Sequence, residues 1–383
     1  MTRRNRLLTA LDHREPDRVP LDLAATQVTG IHTIAHRGLR QALGLPPNGA
    51  HLCDSIQQLA LPGDDLIERL GVDVRGLFPL NSHNWNVHEE DRGDHWVYRD
   101  EWGITHRRSR PEGLYYTIVE VPLSGSSLTV QDIERHRWPD MGDPQRIAGL
   151  REQAVRFRLQ GYGVVLKSPF AGIFEMAQRI LGMEDCLVAM AKGGTPIEAL
   201  FDKLLELKLA FWKMALPELA DVVDVVAEFD DYGTQTSQLI SPRMFRQQLM
   251  PRLKALFDNL QRLAPAAKRF FHSCGNIRPL IPDLIEIGVQ ILNPIHVRAA
   301  GMEPIALKRD FGDALVFWGG GVDTQGVLPT GTAQQVKDDV RRNVEALAPG
   351  GGYVFSPVHN IQADVPPQNI VAMLEALHEF GVY

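Results

Sequence analysis

The chain has 383 residues, of which 44% are apolar and 23% charged, the composition of an ordinary globular protein. Its formal net charge of −7 and the lack of a basic stripe disfavour nucleic acid or an anionic membrane as the main partner. No apolar run approaches the roughly 20 residues of a membrane span, and the basic opening segment lacks a signal-peptide core. We therefore expect a cytoplasmic protein.

The first part of the chain predicts helices interrupted by two short strands. A helix is predicted over Arg3–Leu11, and the first strand candidate covers residues 19–23. Helical patterns over residues 31–43 and 54–70 follow, and a second strand is predicted over residues 73–78.

The pattern changes between about residues 84 and 122, where aromatic-rich segments alternate with polar turns. This alternation predicts an inserted antiparallel β segment. Two interpretations remain open at this point: the insertion covers the mouth of a pocket, or it is a small structural flap.

After the insertion, strand and helix candidates alternate to the end of the chain. The strand candidates cover residues 163–167, 222–227, 268–272, 290–293, 314–318 and 352–355. The helix candidates cover residues 176–191, 196–216, 242–263, 277–287, 304–311, 333–347 and 367–380. With the two early strands these make eight strand–helix units, which predict one (β/α)8 barrel domain over residues 1–383 with an insertion at 84–122. A doubly wound open sheet is the alternative.

His272 and Cys274 lie where a predicted strand ends. Residues i and i+2 of an extended segment point to the same side, so the imidazole and the thiol should enter one pocket. The start of the following helix should favour the thiolate over the thiol. A His-x-Cys pair alone is a weak signal for a metal site, and the prediction depends on whether other ligand residues lie nearby.

The chain has three cysteines, Cys53, Cys186 and Cys274. They are an odd number spread over the chain, which argues against a disulfide framework.

Polar residues also follow most of the other predicted strands, and in a (β/α)8 barrel those strand ends form the reactive rim. We assign candidate catalytic roles to four carboxylates: Glu228, Asp230, Asp231 and Asp323. Candidate substrate-binding residues are Asp22, Lys167, Asn293 and His296.

Each of these residues also has a structural interpretation. Asp22 can hydrogen-bond the next loop, and Lys167 can form a buried ion pair, for example with Glu228. One carboxylate of the 228–231 group can cap a helix. Asp323 fits a turn aspartate, and His296 and Asn293 fit residues that order the rim.

His359 follows the last predicted strand. If it reaches across the barrel, then His272, Cys274 and His359 supply three ligands suited to zinc and leave a fourth position open. Such a site would act as a Lewis acid.

Four motifs spread over the chain carry a family resemblance. They are Leu11-Asp12-His13-Arg14-Glu15-Pro16-Asp17-Arg18-Val19-Pro20, His272-Ser273-Cys274-Gly275-Asn276, Gly320-Gly321-Val322-Asp323-Thr324-Gln325 and Ser356-Pro357-Val358-His359-Asn360-Ile361-Gln362. With them the chain resembles the uroporphyrinogen decarboxylase superfamily, and within it the cobalamin-related methyltransferase branch. The resemblance implies a (β/α)8 barrel with its pocket at the C-terminal rim.

The methyltransferase branch implies zinc as cofactor, a corrinoid protein as partner and a small-molecule methyl donor or acceptor. The oligomeric state stays open from the sequence, with a homodimer as one option. In that branch a His-x-Cys pair and a distant cysteine bind zinc, which activates a thiol acceptor. This chain has His359 where the distant cysteine would stand. One thiolate in place of two leaves the metal more electron-poor, so the departure favours a demethylase-like role on a methoxy or related donor.

Other functions stay open from the sequence. The decarboxylase branch has a late histidine that His359 resembles, but residues 20–29 lack the arginines that hold porphyrinogen carboxylates there. A metal-free lyase would use Asp22 or Asp323 to stabilise a developing cation and His359 to transfer protons. A non-enzymatic corrinoid- or tetrapyrrole-binding module would use a histidine as axial ligand.

Overall fold

Parallel strands alternating with helices form the main body of the protein. The computed structural model describes residues 1–47, 50–111, 113–123 and 128–383. The strands are β1 (Ile31–His32), β2 (Ala50–Asp54), β3 (Leu59–Pro62), β4 (Val74–Leu77), β5 (Glu90–Asp91), β6 (His95–Arg99), β7 (Thr105–Ser109), β8 (Thr117–Glu120), β9 (Gly163–Lys167), β10 (Val225–Phe229), β11 (Lys268–His272), β12 (Ile291–Asn293), β13 (Val316–Trp318) and β14 (Tyr353–Val354).

The helices agree with most of the predicted ones in position. They are α1 (Arg3–Leu11), α2 (Thr33–Ala42), α3 (Asp64–Leu70), α4 (Val130–Arg135), α5 (Leu150–Leu159), α6 (Ile173–Leu181), α7 (Met183–Lys192), α8 (Thr195–Leu219), α9 (Pro242–Met244), α10 (Met250–Leu263), α11 (Ile281–Ile287), α12 (Pro304–Phe311), α13 (Val327–Thr330), α14 (Ala333–Leu347) and α15 (Pro367–Phe380). A π-helical turn over Phe245–Leu249 joins α9 to α10.

The parallel strands form a closed barrel. Seven of them pair in the order β14-β13-β12-β11-β10-β9-β4. The segment around Leu21 fills the gap between the two edges: it forms a parallel bridge with Phe355, and the Leu21 carbonyl accepts the Asp73 amide hydrogen at 2.8 Å. This segment is the eighth strand position, so the predicted (β/α)8 barrel is confirmed and the open sheet is excluded.

Side chains alternate along each strand between the barrel interior and the surrounding helices, which decides what each strand contributes to the site. In β10, Val225, Ala227 and Phe229 pack with the interior cluster, whereas Val226 packs against the helix layer. In β11, Phe270 belongs to the interior cluster and Phe271 to the outer one. Because the period is two residues, a residue that follows an interior side chain by two positions faces the interior as well.

Three predicted elements differ from the structure. The helix predicted over residues 54–70 is wrong for its first half, where β2 and β3 pair antiparallel and β3 also pairs with β1. The helix predicted over 176–191 is divided at Gly182, whose φ of 87° lies outside the helical region. The strand predicted over 222–227 lies later, at Val225–Phe229.

The insertion is an antiparallel sheet, as predicted. Its strand order is β5-β6-β7-β8. Tyr98 is buried in it, stacks on His106 with ring centroids 4.8 Å apart and meets Tyr116 edge-on at 4.9 Å.

Among the described helices, none combines the length and the apolar character needed to cross a membrane. Cys53, Cys186 and Cys274 are free thiols.

Candidate functional site

The structure brings His272, Cys274 and His359 together at the C-terminal ends of the barrel strands. One ligand atom from each residue lies within 4.8 Å of the other two. The Cys274 Sγ atom is 3.4 Å from His272 Nε2, and the rings of His272 and His359 meet edge-on with centroids 5.6 Å apart. We call these three residues the His–Cys–His cluster.

A buried hydrogen-bond chain fixes the tautomer of His272. The Asn293 side-chain nitrogen donates to the Trp318 carbonyl oxygen at 2.7 Å, which leaves the amide oxygen of Asn293 facing His272 Nδ1 at 2.5 Å. An amide oxygen only accepts, so Nδ1 carries the hydrogen. The Nε2 lone pair therefore points toward Cys274 and is free to bind a metal.

Cys274 lies in the loop after β11, and its backbone N–H donates to Asp231 Oδ1 at 2.8 Å. Burial and the carboxylates of Asp231 and Glu175 hold the pKa of this thiol well above its usual range. This direction is opposite to the thiolate that the sequence led us to expect. Burial is the largest cause, because a desolvated site penalises the charged thiolate, and it outweighs any effect of the helical turn that starts at Arg278.

His359 reaches the cluster through the loop that follows β14. The Val358 N–H donates to the Val322 carbonyl at 3.1 Å, which ties this loop to the one after β13 and carries it toward the middle of the rim. Burial, with a further contribution from His272, lowers the pKa of His359 to about 4. The neutral imidazole is the form that binds a metal ion.

The donor set and spacing suit zinc. A nitrogen at about 2.0 Å and a sulfur at about 2.3 Å from one tetrahedral ion lie about 3.5 Å apart. The 3.4 Å between His272 Nε2 and Cys274 Sγ matches this separation. Asp231 Oδ1 lies 3.5 Å from His272 Nε2, so a carboxylate lies next to the cluster.

A cavity of about 440 Å³ opens on one side of the cluster. His272, His359 and Asp231 line it, and the insertion contributes Tyr98 and Trp102 to its wall. The insertion therefore contributes to the wall of this cavity, and its role as a cover over the mouth stays a prediction. Six aromatic side chains line this first cavity: Phe78, Trp85, Tyr98, Trp102, Phe170 and Phe229. Its charged residues are Asp54, Asp100, Glu101, Lys167, Glu175, Arg179 and Asp231.

A second cavity, of about 560 Å³, meets the same cluster at Cys274 and His359. Its polar side chains other than the cluster are Thr234, Gln235, His296, Thr324, Gln325, Asn360 and Gln362. Apart from Cys274, His296 and His359, none of the described residues that line it has an ionisable side chain. His359 lines both cavities, so the cluster separates a charged, aromatic pocket from a neutral one rich in amides.

Glu228 lies outside both cavities. It falls between the interior side chains Ala227 and Phe229 of β10 and so points out toward α8. There it accepts from Lys208 Nζ at 2.6 Å and from Trp212 Nε1 at 2.5 Å. The ion-pair partner of Glu228 is thus Lys208 and not Lys167, the partner that the sequence suggested.

Three further carboxylates from the predicted set are held by backbone and side-chain donors. Asp230 caps α6 by accepting the amide hydrogens of Phe174 at 2.9 Å and Glu175 at 2.8 Å, and burial raises its pKa to about 7. Asp22 accepts from Ala25 N and from Trp318 Nε1. Asp323 shapes its own turn by accepting from the amides of Gln325 and Val327.

The other predicted site residues lie at the cluster or its cavities. Asp231 and Lys167 line the first cavity. Asn293 stands behind His272, as described above. His296 lines the second cavity, where its Nδ1 accepts the Gly275 amide hydrogen at 3.0 Å.

Sequence reasoning missed several residues of the first cavity. Glu175 and Arg179 lie on α6, directly after a barrel strand, and form an i,i+4 ion pair at 2.6 Å. That position in a strand–helix unit was the available signal. Asp54 ends β2, in a stretch that had been predicted helical.

The barrel and a cluster of ionisable side chains at its C-terminal rim place the protein among (β/α)8 barrels with an enzyme-like site. The chain belongs to the uroporphyrinogen decarboxylase (URO-D) family, whose sequence model matches residues 119–380.

Individual relatives match shorter stretches. A uroporphyrinogen decarboxylase of Legionella pneumophila (strain Corby) is 38% identical over 67 residues, 16% of this chain and 19% of the relative. Another, from Magnetococcus marinus, is 22% identical over 196 residues, 48% of each protein. The matches thus span about a fifth and about half of the relatives' lengths. A solved methyltransferase from Methanosarcina mazei superposes with a TM-score of 0.62 at 18% identity and 99% coverage of both chains, a similarity of fold.

Proposed function

We propose that the protein is a zinc-dependent methyltransferase that moves a methyl group from a small-molecule donor to a corrinoid carried by a partner protein. The observation that carries the proposal is the His–Cys–His cluster, with its ligand atoms within 4.8 Å of one another and its His272 tautomer fixed for metal binding. The fold shared with a solved methyltransferase is consistent with it.

His272, Cys274 and His359 would hold the ion, and Asp231, whose Oδ1 lies 3.5 Å from His272 Nε2, would complete its coordination. When bound, zinc supplies Lewis acidity toward the heteroatom that carries the methyl group. Asn293 keeps the His272 ring in the productive orientation through the 2.5 Å hydrogen bond. Tyr98 and Trp102 of the insertion line the first cavity and would limit the access of water to a bound donor.

Two cavities that meet at one cluster allow two reactants to approach it from different sides. The first, aromatic and charged, suits a small donor molecule. The second is lined by the amides of Gln235, Gln325 and Gln362 and by neutral hydroxyls. Such groups complement the neutral amide side chains at the edge of a corrin ring.

In the proposed transfer from a methoxy donor, the methyl carbon–oxygen bond breaks and its electron pair stays on the oxygen. Cobalt(I) of the corrinoid supplies the electron pair for the new carbon–cobalt bond, and the oxygen leaves as an alkoxide or phenolate that water protonates after release.

Decarboxylation of a porphyrinogen has less support at this site. The first cavity has five acidic side chains and two basic ones among the described residues that line it, which disfavours a substrate with many carboxylates. The metal-free lyase has less support as well, because the carboxylates of Asp22 and Asp323 are bound by neighbouring groups and line neither cavity.

Metal analysis tests the proposal. We expect one zinc per chain after reconstitution of wild-type protein, measured by inductively coupled plasma mass spectrometry. Cys274→Ala and His359→Ala should each lose most of it. Cys53→Ala is the matched control, because Cys53 lines the first cavity without belonging to the cluster. Full zinc content in Cys274→Ala, or none in the wild type, refutes the metal site.

Turnover is tested separately with cob(I)alamin as acceptor and a panel of methoxy compounds, followed by the absorbance change on methylation of cobalt. Gln325→Glu places a charge in the neutral second cavity and should raise KM for the corrinoid while leaving zinc content unchanged. An unchanged KM would contradict the assignment of that cavity.

A further inference from the structure

Asn360 directly follows His359 in the chain and is only 1% exposed. Its amide nitrogen donates to Gln57 Oε1 at 2.7 Å and to the Gln27 carbonyl oxygen at 3.4 Å. Because a backbone carbonyl only accepts, the nitrogen end of the Asn360 amide has to face Gln27. The amide oxygen therefore points the other way, where the side-chain nitrogen of Gln362 donates to it.

The Asn360 side chain also acts on the His359 ring. Burial lowers the pKa of His359, and a hydrogen bond with the Asn360 side chain opposes this effect. A bond that favours the protonated imidazole is one in which the ring donates and the amide oxygen accepts. That oxygen has two lone pairs, so it can accept from Gln362 and His359 together. An acceptor on one ring nitrogen leaves the other nitrogen of His359 free to bind a metal.

The hydrogen bonds of Asn360 join the walls of the two cavities. Gln27 and Gln57 line the first cavity, whereas Asn360 and Gln362 line the second. His359 lines both. A side chain in the wall of the first cavity, Gln57, thus contacts the group that orients a residue of the His–Cys–His cluster.

Strand β1 explains why Gln57 and Asn360 meet. Its residue Ile31 pairs with Ala60 of β3 on one side and forms a parallel bridge with Ile361 on the other. Gln57 lies in the turn between β2 and β3, so β1 holds that turn beside the segment that follows His359. The contact between the two amides is therefore set by paired backbone on both sides.

From this network we propose that Asn360 is a positioning residue for His359, and that Gln57 in the wall of the first cavity holds Asn360 in place. The effect on metal binding rests on the proposed function, because it requires His359 to bind zinc. The orientation of the His359 ring is a property of the protein without metal and is testable separately.

Zinc affinity, measured by competition with a chromophoric chelator, tests the first part. Asn360→Ala should lower it about 10- to 100-fold, as expected when the group that orients a metal-binding histidine is lost. Asn360→Asp keeps an acceptor for His359 and should retain most of the affinity. Gln57→Leu should lower it about 2- to 10-fold, the contribution of one neutral hydrogen bond.

Two control variants should keep wild-type zinc affinity. Asn369→Ala removes a buried asparagine that donates to the Leu328 and Gly331 carbonyls, away from the cluster. Ser55→Ala changes the same turn of the first-cavity wall as Gln57, at a side chain that bonds Tyr98. Circular dichroism checks that each variant is folded.

NMR of isotope-labelled histidine in zinc-free protein tests the second part, with His359→Ala to assign the signal. The His359 ring should be a single tautomer in the wild type and in Asn360→Asp, and a mixture of tautomers in Asn360→Ala. A single tautomer in Asn360→Ala overturns the positioning role.

The failure of this proposal and that of the proposed function give different results. Wild-type protein that binds zinc through Cys274, together with undiminished affinity in Asn360→Ala and Gln57→Leu, would refute the positioning role and retain the metal site. Wild-type protein that binds no zinc, but whose His359 loses its single tautomer in Asn360→Ala, would refute the proposed function and retain the positioning of the ring.

Discussion

Asn293 joins the barrel to the cluster, and its replacement by alanine should weaken metal binding and stability together. The substitution removes the acceptor of the His272 Nδ1–H and the donor to the Trp318 carbonyl, at 2.5 and 2.7 Å. Both partners are buried, and each unsatisfied buried group costs about 1–3 kcal/mol. The free energy of unfolding should therefore fall by about 2–6 kcal/mol. Loss of the group that orients a metal-binding histidine should reduce zinc affinity about 10- to 100-fold.

Zinc affinity is measured by competition with a chromophoric chelator, and stability by chemical denaturation. Asn293→Asp separates the two effects, because it keeps an acceptor for His272 but loses the donor to Trp318. This variant should lose stability and retain zinc affinity. Asn343→Ala is the matched control, since Asn343 is a buried asparagine that contacts the Gly321 carbonyl rather than the cluster. Wild-type zinc affinity in Asn293→Ala would refute the role assigned to this residue.

Three further outcomes are expected. Lys208→Met leaves the buried Glu228 carboxylate unpaired and should reduce the free energy of unfolding by about 3–5 kcal/mol in urea denaturation, so a near-neutral effect would contradict the pairing. Burial raises the pKa of Asp22 from 3.8 to about 6, so the folded state binds the proton more tightly and stability should fall by about 3 kcal/mol as pH rises from about 4 to 6. Asp22→Asn should remove that part of the pH dependence, and an identical pH profile of the melting temperature would count against it. Gly172→Ala places a Cβ 2.0–2.3 Å from atoms of the Asp230 side chain, which caps α6, and should destabilise the protein by about 1–3 kcal/mol in thermal denaturation; an unchanged melting temperature would be inconsistent with this contact.

The barrel was predictable because each strand–helix unit leaves a local pattern. The sequence contains eight predicted apolar strands that are each followed by a helical pattern. The structure has a barrel strand position at each of these eight places. The helix predicted over residues 54–70 failed for a physical reason. A short apolar run such as Leu59–Pro62 has no periodicity that separates strand from helix, and its pairing partners β1 and β2 decide the outcome.

The candidate site was predictable where strand geometry alone places a side chain. His272 and Cys274 are two residues apart at a strand end, so their proximity follows from the backbone. The contribution of His359 depends on the path of a loop, which no local pattern encodes. Lys208, the partner of Glu228, lies on α8, and only the packing of that helix on β10 brings the two together.

The functions of the other carboxylates depend on which face of the strand they occupy. Glu228 belongs to a strand that continues to Phe229, so the alternation turns it away from the cavity. Asp230 and Asp231 are adjacent, yet one caps α6 while the other stands beside the cluster. A shift of one residue in the strand register turns each side chain to the opposite face. The sequence does not fix that register, so it predicted the same catalytic role for all three carboxylates.

Zinc-edge X-ray absorption on the reconstituted wild-type protein reports the ligands of the proposed metal centre itself. We expect one sulfur ligand at about 2.3 Å and nitrogen or oxygen ligands at about 2.0–2.1 Å, with the sulfur contribution lost in Cys274→Ser. A coordination shell without sulfur in the wild type, or one that Cys274→Ser leaves unchanged, would contradict a metal centre built from His272, Cys274 and His359.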